Sequence, residues 1–176
     1  MDKEIQVEHV TGQLDHFIVE PFVPHESSDE HYICIQSDRD GEEILFFNEG
    51  GVDVGDVDAK ANRLHIPIDD DNLTPERFQS LLKGVPQDRL EQLASFICTL
   101  LLVYRKLNFV YMEINPIVVC NDNSIVPLDL AAKIDETAAF LNASDWGHLD
   151  FPAPFGRKEF PEEAYDTGLG RNCEFD

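Results

Sequence analysis

Oxygen-bearing side chains recur at every second position of one apolar stretch, at Tyr111, Glu113 and Asn115. Successive side chains of a strand point to opposite faces of a sheet, so these three are expected to share one face. A second apolar stretch, residues 124–133, carries Asp129. Carboxylate and amide oxygens are ligands that Mg²⁺ takes in proteins, usually one or two of them together with water and substrate phosphates. The two stretches therefore predict a magnesium site formed by Asn115 and Asp129.

This site requires the two stretches to form an antiparallel hairpin in one register. Residues 121–123 are turn formers between two apolar alternating runs, which favours such a hairpin. If they form a three-residue loop, Asn115 lies directly opposite Asp129, with Cβ atoms about 5 Å apart. A slip of one residue would turn Asp129 to the other face. The alternative is that residues 115–116 form a strand-end turn and Asp129 is a solvated strand terminus.

The hairpin resembles the magnesium hairpin of ATP-grasp acyl-CoA ligases. Three other segments, Phe17–His25, Glu49–Lys60 and Trp146–Tyr165, resemble the ATP-grasp region of ATP-citrate lyases, also called ATP-citrate synthases. The resemblance runs from about Thr11 to Tyr165. Succinyl-CoA synthetase β subunits are similar in the Glu-Ile-Asn-Pro and Gly-Gly-Val-Asp motifs but end the return strand differently. The resemblance implies an α+β fold, an ATP-grasp lobe with a mainly antiparallel sheet flanked by helices.

Two prolines exclude a helix from the segment around Pro21 and Val23, which is expected to be extended. In such a segment the Pro21 carbonyl and the Val23 N–H point to the same side and match the edge of adenine. The alternative is that the prolines cap an edge strand. The resemblance implies that Pro21 and Val23 line the adenine pocket and that Glu30 accepts the ribose hydroxyls, which would be a strong and selective contact. Otherwise Glu30 is a solvated loop acid.

The resemblance implies ATP and Mg²⁺ as cofactors and a reaction that forms acetyl-CoA and oxaloacetate from citrate, CoA and ATP. It also implies that residues 1–140 form a partial ATP-grasp domain without its N-terminal lobe, and residues 141–176 an extended arm and divergent tail. The phospho-histidine, CoA and lyase regions of the family have no counterpart here, so we assign no catalytic residue and expect the chain to be inactive alone. The alternatives are a catalytically silent truncated form that associates with full-length subunits of a homotetramer, and a fragment of a succinyl-CoA-synthetase-like β subunit.

The composition limits the partners. The chain has 176 residues, with 13 basic and 35 acidic ones and a net charge of −22. Such a field repels nucleic acid and anionic membranes, and it also opposes ATP and citrate unless local cations or a metal compensate. The longest apolar stretch, Phe96–Tyr104, is far too short to span a membrane. Four cysteines without a Cys-x-x-Cys motif, and no apolar leader, predict a cytosolic protein.

The remaining elements are predicted from apolar spacing and turn chemistry. We expect a hairpin of residues 31–36 and 43–48, with Gly41 at a turn position that tolerates positive φ. We assign no ligand to the glycine-rich loop of residues 49–58. The other expected elements are an edge strand at 64–68, a helix from an N-cap at Thr74 to Gly84, a long helix at 87–106, and a strand at 134–140 that leads into the arm.

Overall fold

The computed structural model describes residues 4–7, 9–14, 17–51, 55, 57–147, 149 and 155–157. The chain divides into two units, one of residues 23–147 and one of residues 1–22 with 148–176. Cys173 and most of the predicted tail lie outside the described residues. The boundary expected at residue 140 stays a prediction.

In the smaller unit, strands β1 (Glu4–Val7) and β2 (Val10–Gln13) form an antiparallel hairpin in which Glu4 pairs with Gln13. The larger unit is an antiparallel sheet with helices. Its strands are β3 (Glu30–Ser37), β4 (Gly41–Phe47), β5 (Asn62–Pro67), β6 (Phe109–Val119), β7 (Ile125–Pro127) and β8 (Leu130–Ile134). Its helices are α1 (Val57–Lys60), α2 (Pro75–Phe78), α3 (Gln87–Lys106) and α4 (Ala139–Trp146). The order β5-β4-β3-β6-β7, with β8 also paired to β6, makes β6 the strand with three partners. This confirms the predicted α+β fold with a mainly antiparallel sheet flanked by helices.

The β3–β4 hairpin is confirmed, but Gly41 is present for a reason other than the predicted one. The turn is closed by Asp38, whose Oδ1 accepts from the N–H groups of Asp40 and Gly41 at 2.7 and 2.8 Å. Gly41 does not have a positive φ. It lies in β4 opposite Pro67, where an added Cβ would stand 2.1 Å from the Ile66 carbonyl oxygen. Close approach of the β5 backbone therefore requires glycine at this position.

Helix α3 forms over the predicted residues and packs on one face of the sheet. Its apolar residues recur at helical spacing, so one side of the helix is buried. Leu93, Ile97 and Leu101 join a core that includes Ile33, Ile35, Ile44, Phe46, Met112 and Ile114 from the strands. Asp88 lies in the first turn and Arg105 and Lys106 in the last, which complements the helix dipole. The long helix thus packs against β3 and β6 on this face of the sheet.

The opposite face of the sheet has a smaller apolar cluster of Tyr32, Cys34, Leu45 and Val57, against which Tyr111 packs. On β6, Met112 and Ile114 belong to the α3 side and Tyr111 to the other side. The predicted alternation is therefore confirmed from Tyr111 to Ile114, but Ile117 and Val119 also belong to the α3 side, because the pairing of β6 with β3 shifts register after Ile114.

Two predicted elements differ from the structure. The helix expected from residue 75 to Gly84 ends at Phe78 and continues only as a 3-10 turn, Gln79–Leu81, and Gly84 follows with φ +90°. The strand expected over 134–140 ends at Ile134, because Asp135 accepts from the Thr137 N–H at 3.0 Å and starts a 3-10 turn that leads into α4. Within the described part of the chain, no helix has the length and apolar character needed to cross a membrane.

Candidate functional site

The hairpin around β6 has the predicted register. Ile114 pairs with Leu130 on one side of the site and Ile117 with Pro127 on the other. Between these pairs, the Asn115 N–H donates to the Asp129 carbonyl oxygen at 3.1 Å, so the two residues are opposite each other. The return strand is divided into β7 and β8, with Asp129 in the gap between them. A continuous return strand was expected, but its gap lies opposite Pro116 of β6, which has no N–H for a regular ladder.

The side chains of Asn115 and Asp129 differ in their surroundings. Asp129 is exposed, whereas Asn115 is half-buried and its Oδ1 accepts from the Gly51 N–H at 2.7 Å. An amide oxygen has two lone pairs, so one remains for a further partner. Within the described residues, there is no group of three or more His, Cys, Asp or Glu side chains that could hold a metal. A metal at this position would thus have two protein ligands and would take its others from water and phosphate.

Gly51 brings the glycine-rich loop against this hairpin. Its φ is +89°, a conformation that glycine adopts without strain. A Cβ added at Gly51 would stand 2.5 Å from Oε2 of Glu30. The backbone of Gly51 therefore lies between Glu30 and Asn115 and contacts both. Sequence reasoning assigned no ligand to this loop, although two adjacent glycines next to a strand end are a signal of close backbone approach.

His25 was not singled out from the sequence, and the structure places it against two of the predicted site residues. Its Nδ1 donates to the Val23 carbonyl oxygen at 2.7 Å, and its Nε2 lies 3.3 Å from Glu30 Oε1. The Val23 carbonyl, together with the Glu30 carboxylate, raises the pKa of His25 above its ordinary value. Its position five residues before Glu30, across a short 3-10 turn at Ser27–Asp29, was the available signal.

A continuous series of contacts results within the larger unit. Val23 contacts His25, His25 contacts Glu30, Glu30 lies beside Gly51, and Gly51 donates to Asn115. The hairpin register had predicted Asn115 and Asp129, and the resemblance had implied Val23 and Glu30. The structure connects them through His25 and Gly51, which sequence reasoning missed. Pro21 lies in the smaller unit and is exposed. The roles of these residues in binding stay predictions.

Tyr111 and Glu113 form a separate polar pair on the same strand. The Tyr111 hydroxyl donates to Glu113 Oε2, and Lys133 Nζ lies 5.6 Å from the centre of the tyrosine ring. Burial, followed by the hydrogen bond to Glu113, raises the pKa of Tyr111 far above its ordinary range. Tyr111 is therefore a neutral donor at physiological pH.

Several cations of the larger unit are already paired with carboxylates. The pairs are Arg63 with Glu43 at 2.7 Å, Arg77 with Asp70 at 2.6 Å, Arg89 with Asp29 at 2.9 Å, Arg105 with Glu42 at 2.6 Å and Lys106 with Asp145 at 3.4 Å. These cations balance internal acids, which leaves them less available to an anionic ligand.

Residues 1–146 match the family model described as the ATP-citrate synthase ATP-grasp domain. The chain is 50% identical to human ATP-citrate synthase over 170 residues, which cover 96% of this chain and 15% of the human protein. It is 42% identical over 199 residues to the probable ATP-citrate synthase subunit 2 of Schizosaccharomyces pombe, covering 95% of this chain and 40% of that one. Its fold matches ATP citrate lyase from Methanothrix soehngenii in complex with citrate and coenzyme A, with a TM-score of 0.82 and 32% identity over 99% of this chain and 40% of that one. The chain thus spans well under half of the relatives it matches.

Proposed function

Since this chain belongs to the family of ATP-citrate synthase ATP-grasp domains, we propose that it is the part of an ATP-citrate synthase that binds ATP and Mg²⁺. The complete enzyme makes acetyl-CoA and oxaloacetate from citrate, CoA and ATP. The observation that supports this role is the series of contacts from Val23 to Asn115, which joins the expected adenine, ribose and magnesium contacts. We further propose a cytosolic location, in keeping with thiols rather than disulfides at Cys98 and Cys120.

In this proposal the adenine lies along the extended segment at Pro21 and Val23, and the ribose lies at Glu30. The Glu30 side chain is 19% exposed, so it is partly shielded while remaining accessible to a ligand. A carboxylate that accepts from two hydroxyls forms charge-assisted hydrogen bonds, which are stronger than neutral ones. Glu30 would therefore supply selectivity for a nucleotide that carries both ribose hydroxyls.

The magnesium site would be formed by Asn115 Oδ1 and the Asp129 carboxylate. The fit is supported by the register, by the hard oxygen donors, and by the remaining lone pair of Asn115 Oδ1. A metal held by these two residues would supply positive charge to neutralise the phosphates of ATP. The protein residues would position the metal. The Gly51 N–H orients the Asn115 amide, and the backbone hydrogen bond from Asn115 to Asp129 fixes the distance between the two strands.

We infer that the chain alone does not cleave citrate. Phosphoryl transfer depends on positioning and on neutralising charge at the phosphates. The arginines at 63, 77, 89 and 105 are engaged by carboxylates within the larger unit, and the whole chain carries a net charge of −22. Other ATP-citrate synthase chains would have to supply the missing cations.

Calorimetric titration with ATP, with and without Mg²⁺, tests the proposal on the native chain, Asp129→Asn and a control, Asp122→Asn. Asp122 lies in the loop of the same hairpin and is exposed, so its replacement removes an equal charge away from the site. We expect Asp129→Asn to weaken magnesium-dependent ATP binding about tenfold or more, the scale on which supporting residues of metal sites act, and Asp122→Asn to match the native chain. Equal binding by all three proteins would remove Asp129 from the site, and acetyl-CoA formation from citrate by the chain alone would refute the inferred inactivity.

A second candidate function is that of a silent subunit that associates with other ATP-citrate synthase chains. It is favoured by an exposed apolar run in the smaller unit, with Phe17, Ile18, Val19 and Phe22 exposed by 74%, 88%, 93% and 85%. The relatives of this chain also include a protein named as a separate subunit, from Schizosaccharomyces pombe. Co-elution with a full-length ATP-citrate synthase in size-exclusion chromatography would support this role, and separate elution at micromolar concentrations would contradict it.

A further inference from the structure

Both ring nitrogens of His25 face acceptor atoms. Nδ1 lies 2.7 Å from the Val23 carbonyl oxygen and Nε2 lies 3.3 Å from Glu30 Oε1. A neutral imidazole has one N–H and can donate to only one of these atoms, whereas an imidazolium donates to both. The geometry therefore fits the cationic ring.

The charged groups that face His25 favour the same state. The carboxylates of Glu30 and Asp29 lie close enough to act on its charge, in addition to the Val23 carbonyl. Asp29 is itself paired with Arg89 of α3 at 2.9 Å, which reduces the effect of Asp29 on the charge of His25. His31, which follows Glu30, adds no competing positive charge, because burial lowers its pKa.

Glu30 is held on two sides in this arrangement. Oε1 is beside His25, and Oε2 is over the backbone of Gly51, which has no Cβ to displace it. The side chains of His25 and Glu30 are only 16% and 19% exposed, so the pair is partly shielded from water. A carboxylate that is fixed before binding loses less side-chain entropy when a ligand arrives. Each oxygen of Glu30 still has a lone pair for a hydroxyl.

We propose that His25 is a positioning residue for the nucleotide, whose imidazolium ties the Glu30 carboxylate to the Val23 backbone and holds it towards the ribose hydroxyls. This inference rests on the proposed function of Glu30. As the pH rises and the ring loses a proton, Nε2 becomes an acceptor facing an acceptor, and Glu30 is released. Affinity for a nucleotide with ribose hydroxyls therefore decreases with rising pH, while a 2′,3′-dideoxy nucleotide is unaffected.

The test measures the dissociation constants of magnesium-ATP and magnesium-2′,3′-dideoxy-ATP from about pH 6 to about pH 8.5, a range that includes the ordinary pKa of histidine. It compares the native chain with His25→Gln and with a control, His65→Gln. His65 also lies near a carboxylate, 3.7 Å from Asp38, but on the edge strand β5. For native protein and His65→Gln we expect ATP to bind about threefold to tenfold more weakly at the upper end of the pH range. The charged hydrogen bond that is lost there positions Glu30 and does not itself contact the nucleotide. For His25→Gln we expect weak binding that does not vary with pH.

A second measurement does not depend on nucleotide. The ring of His25 is titrated by NMR in the ligand-free native chain and in Glu30→Gln, and the pKa of His25 should be lower in the variant. ATP binding with the same pH profile in native protein and His25→Gln would overturn the inference and leave the proposed function standing. If the chain binds no ATP, the proposed function fails. The NMR titration then decides the His25–Glu30 pair: a lower pKa in Glu30→Gln supports it, and an unchanged one overturns it.

Discussion

Replacing Gly51 with alanine should disturb both ends of the proposed nucleotide site with one methyl group. The new Cβ would stand 2.5 Å from Glu30 Oε2, closer than any stable contact, so the carboxylate must move. Movement of Glu30 opens its contact with His25, which is 3.3 Å long. Any shift of the Gly51 backbone also weakens its 2.7 Å hydrogen bond to Asn115 Oδ1.

The size of the effect follows from two contributions. The φ of +89° costs an L-residue about 1–2 kcal/mol. Loss of the Gly51 hydrogen bond to Asn115 adds about 0.5–1.5 kcal/mol. Together they lower the free energy of unfolding by about 1.5–3.5 kcal/mol. For ATP, displacement of Glu30 removes charge-assisted bonds to the ribose, so binding should weaken about tenfold or more.

Gly55→Ala is the matched control. Gly55 also has a positive φ, +74°, but a Cβ added there meets no atom of the described residues within 4 Å. It therefore reports backbone strain alone, about 1–2 kcal/mol, without a clash. Urea unfolding measures the stability of both variants, and calorimetry measures their affinity for magnesium-ATP.

The reasoning fails if Gly51→Ala and Gly55→Ala lose the same stability and the same affinity, because the contact with Glu30 would then be without consequence. It also fails if Gly51→Ala weakens the binding of 2′,3′-dideoxy-ATP as strongly as the binding of ATP. In that case the loss of affinity would not arise from the contact between Glu30 and the ribose hydroxyls.

Two further predictions concern the support of the sheet. Arg105→Leu should lower the free energy of unfolding by about 3–5 kcal/mol, because Glu42, which is 6% exposed, loses its partner at 2.6 Å. Arg63→Leu, whose pair with Glu43 is more exposed, should cost no more than about 1 kcal/mol, and equal losses in urea unfolding would contradict the distinction. His31→Phe should make stability less sensitive to acid: burial lowers the pKa of His31, so the native chain loses stability as pH falls below the ordinary histidine value of 6.5. Parallel pH profiles of the two proteins in urea unfolding would exclude this role.

The hairpin could be predicted because its information is local. The alternation from Tyr111 to Ile114 fixes which of these residues share a face, and a loop of residues 121–123 fixes which residues are opposite. Together they placed Asn115 opposite Asp129, as observed. The long helix α3 was predicted for the same reason, since twenty residues of helical spacing outweigh any single exception. The division of the return strand opposite Pro116 was missed, although the missing N–H of that proline was visible in the sequence.

The contacts of Gly51 could not be predicted because they depend on chain packing across long sequence separations, whereas those of His25 are local, two and five residues away. Gly51 and Asn115 are 64 residues apart, and the pairings of β4 with β3 and of β3 with β6 bring the glycine-rich loop to the hairpin. The same limit explains Gly41, where local turn chemistry predicted a positive φ and the reason for glycine is the neighbouring strand β5. Helix α4 was missed because the Asp135 side chain starts a helical turn where apolar residues had favoured a strand.

The loop of residues 48–51 acts as a shared support because it is fixed from β3 as well as contacting both ends of the site. The Asn48 carbonyl oxygen accepts from His31 Nδ1 at 3.1 Å, and Gly50 packs so closely on His31 that an added Cβ would stand 2.7 Å from its carbonyl oxygen. His31 is 2% exposed, and its Nε2 has no hydrogen-bond partner among the described residues. Its neutral ring can therefore keep its one proton on Nδ1 for the loop. Since Gly51 follows directly, a change at His31 that loosens this bond should displace Glu30 and Asn115 together, so ribose recognition and metal binding are coupled through the backbone of one loop.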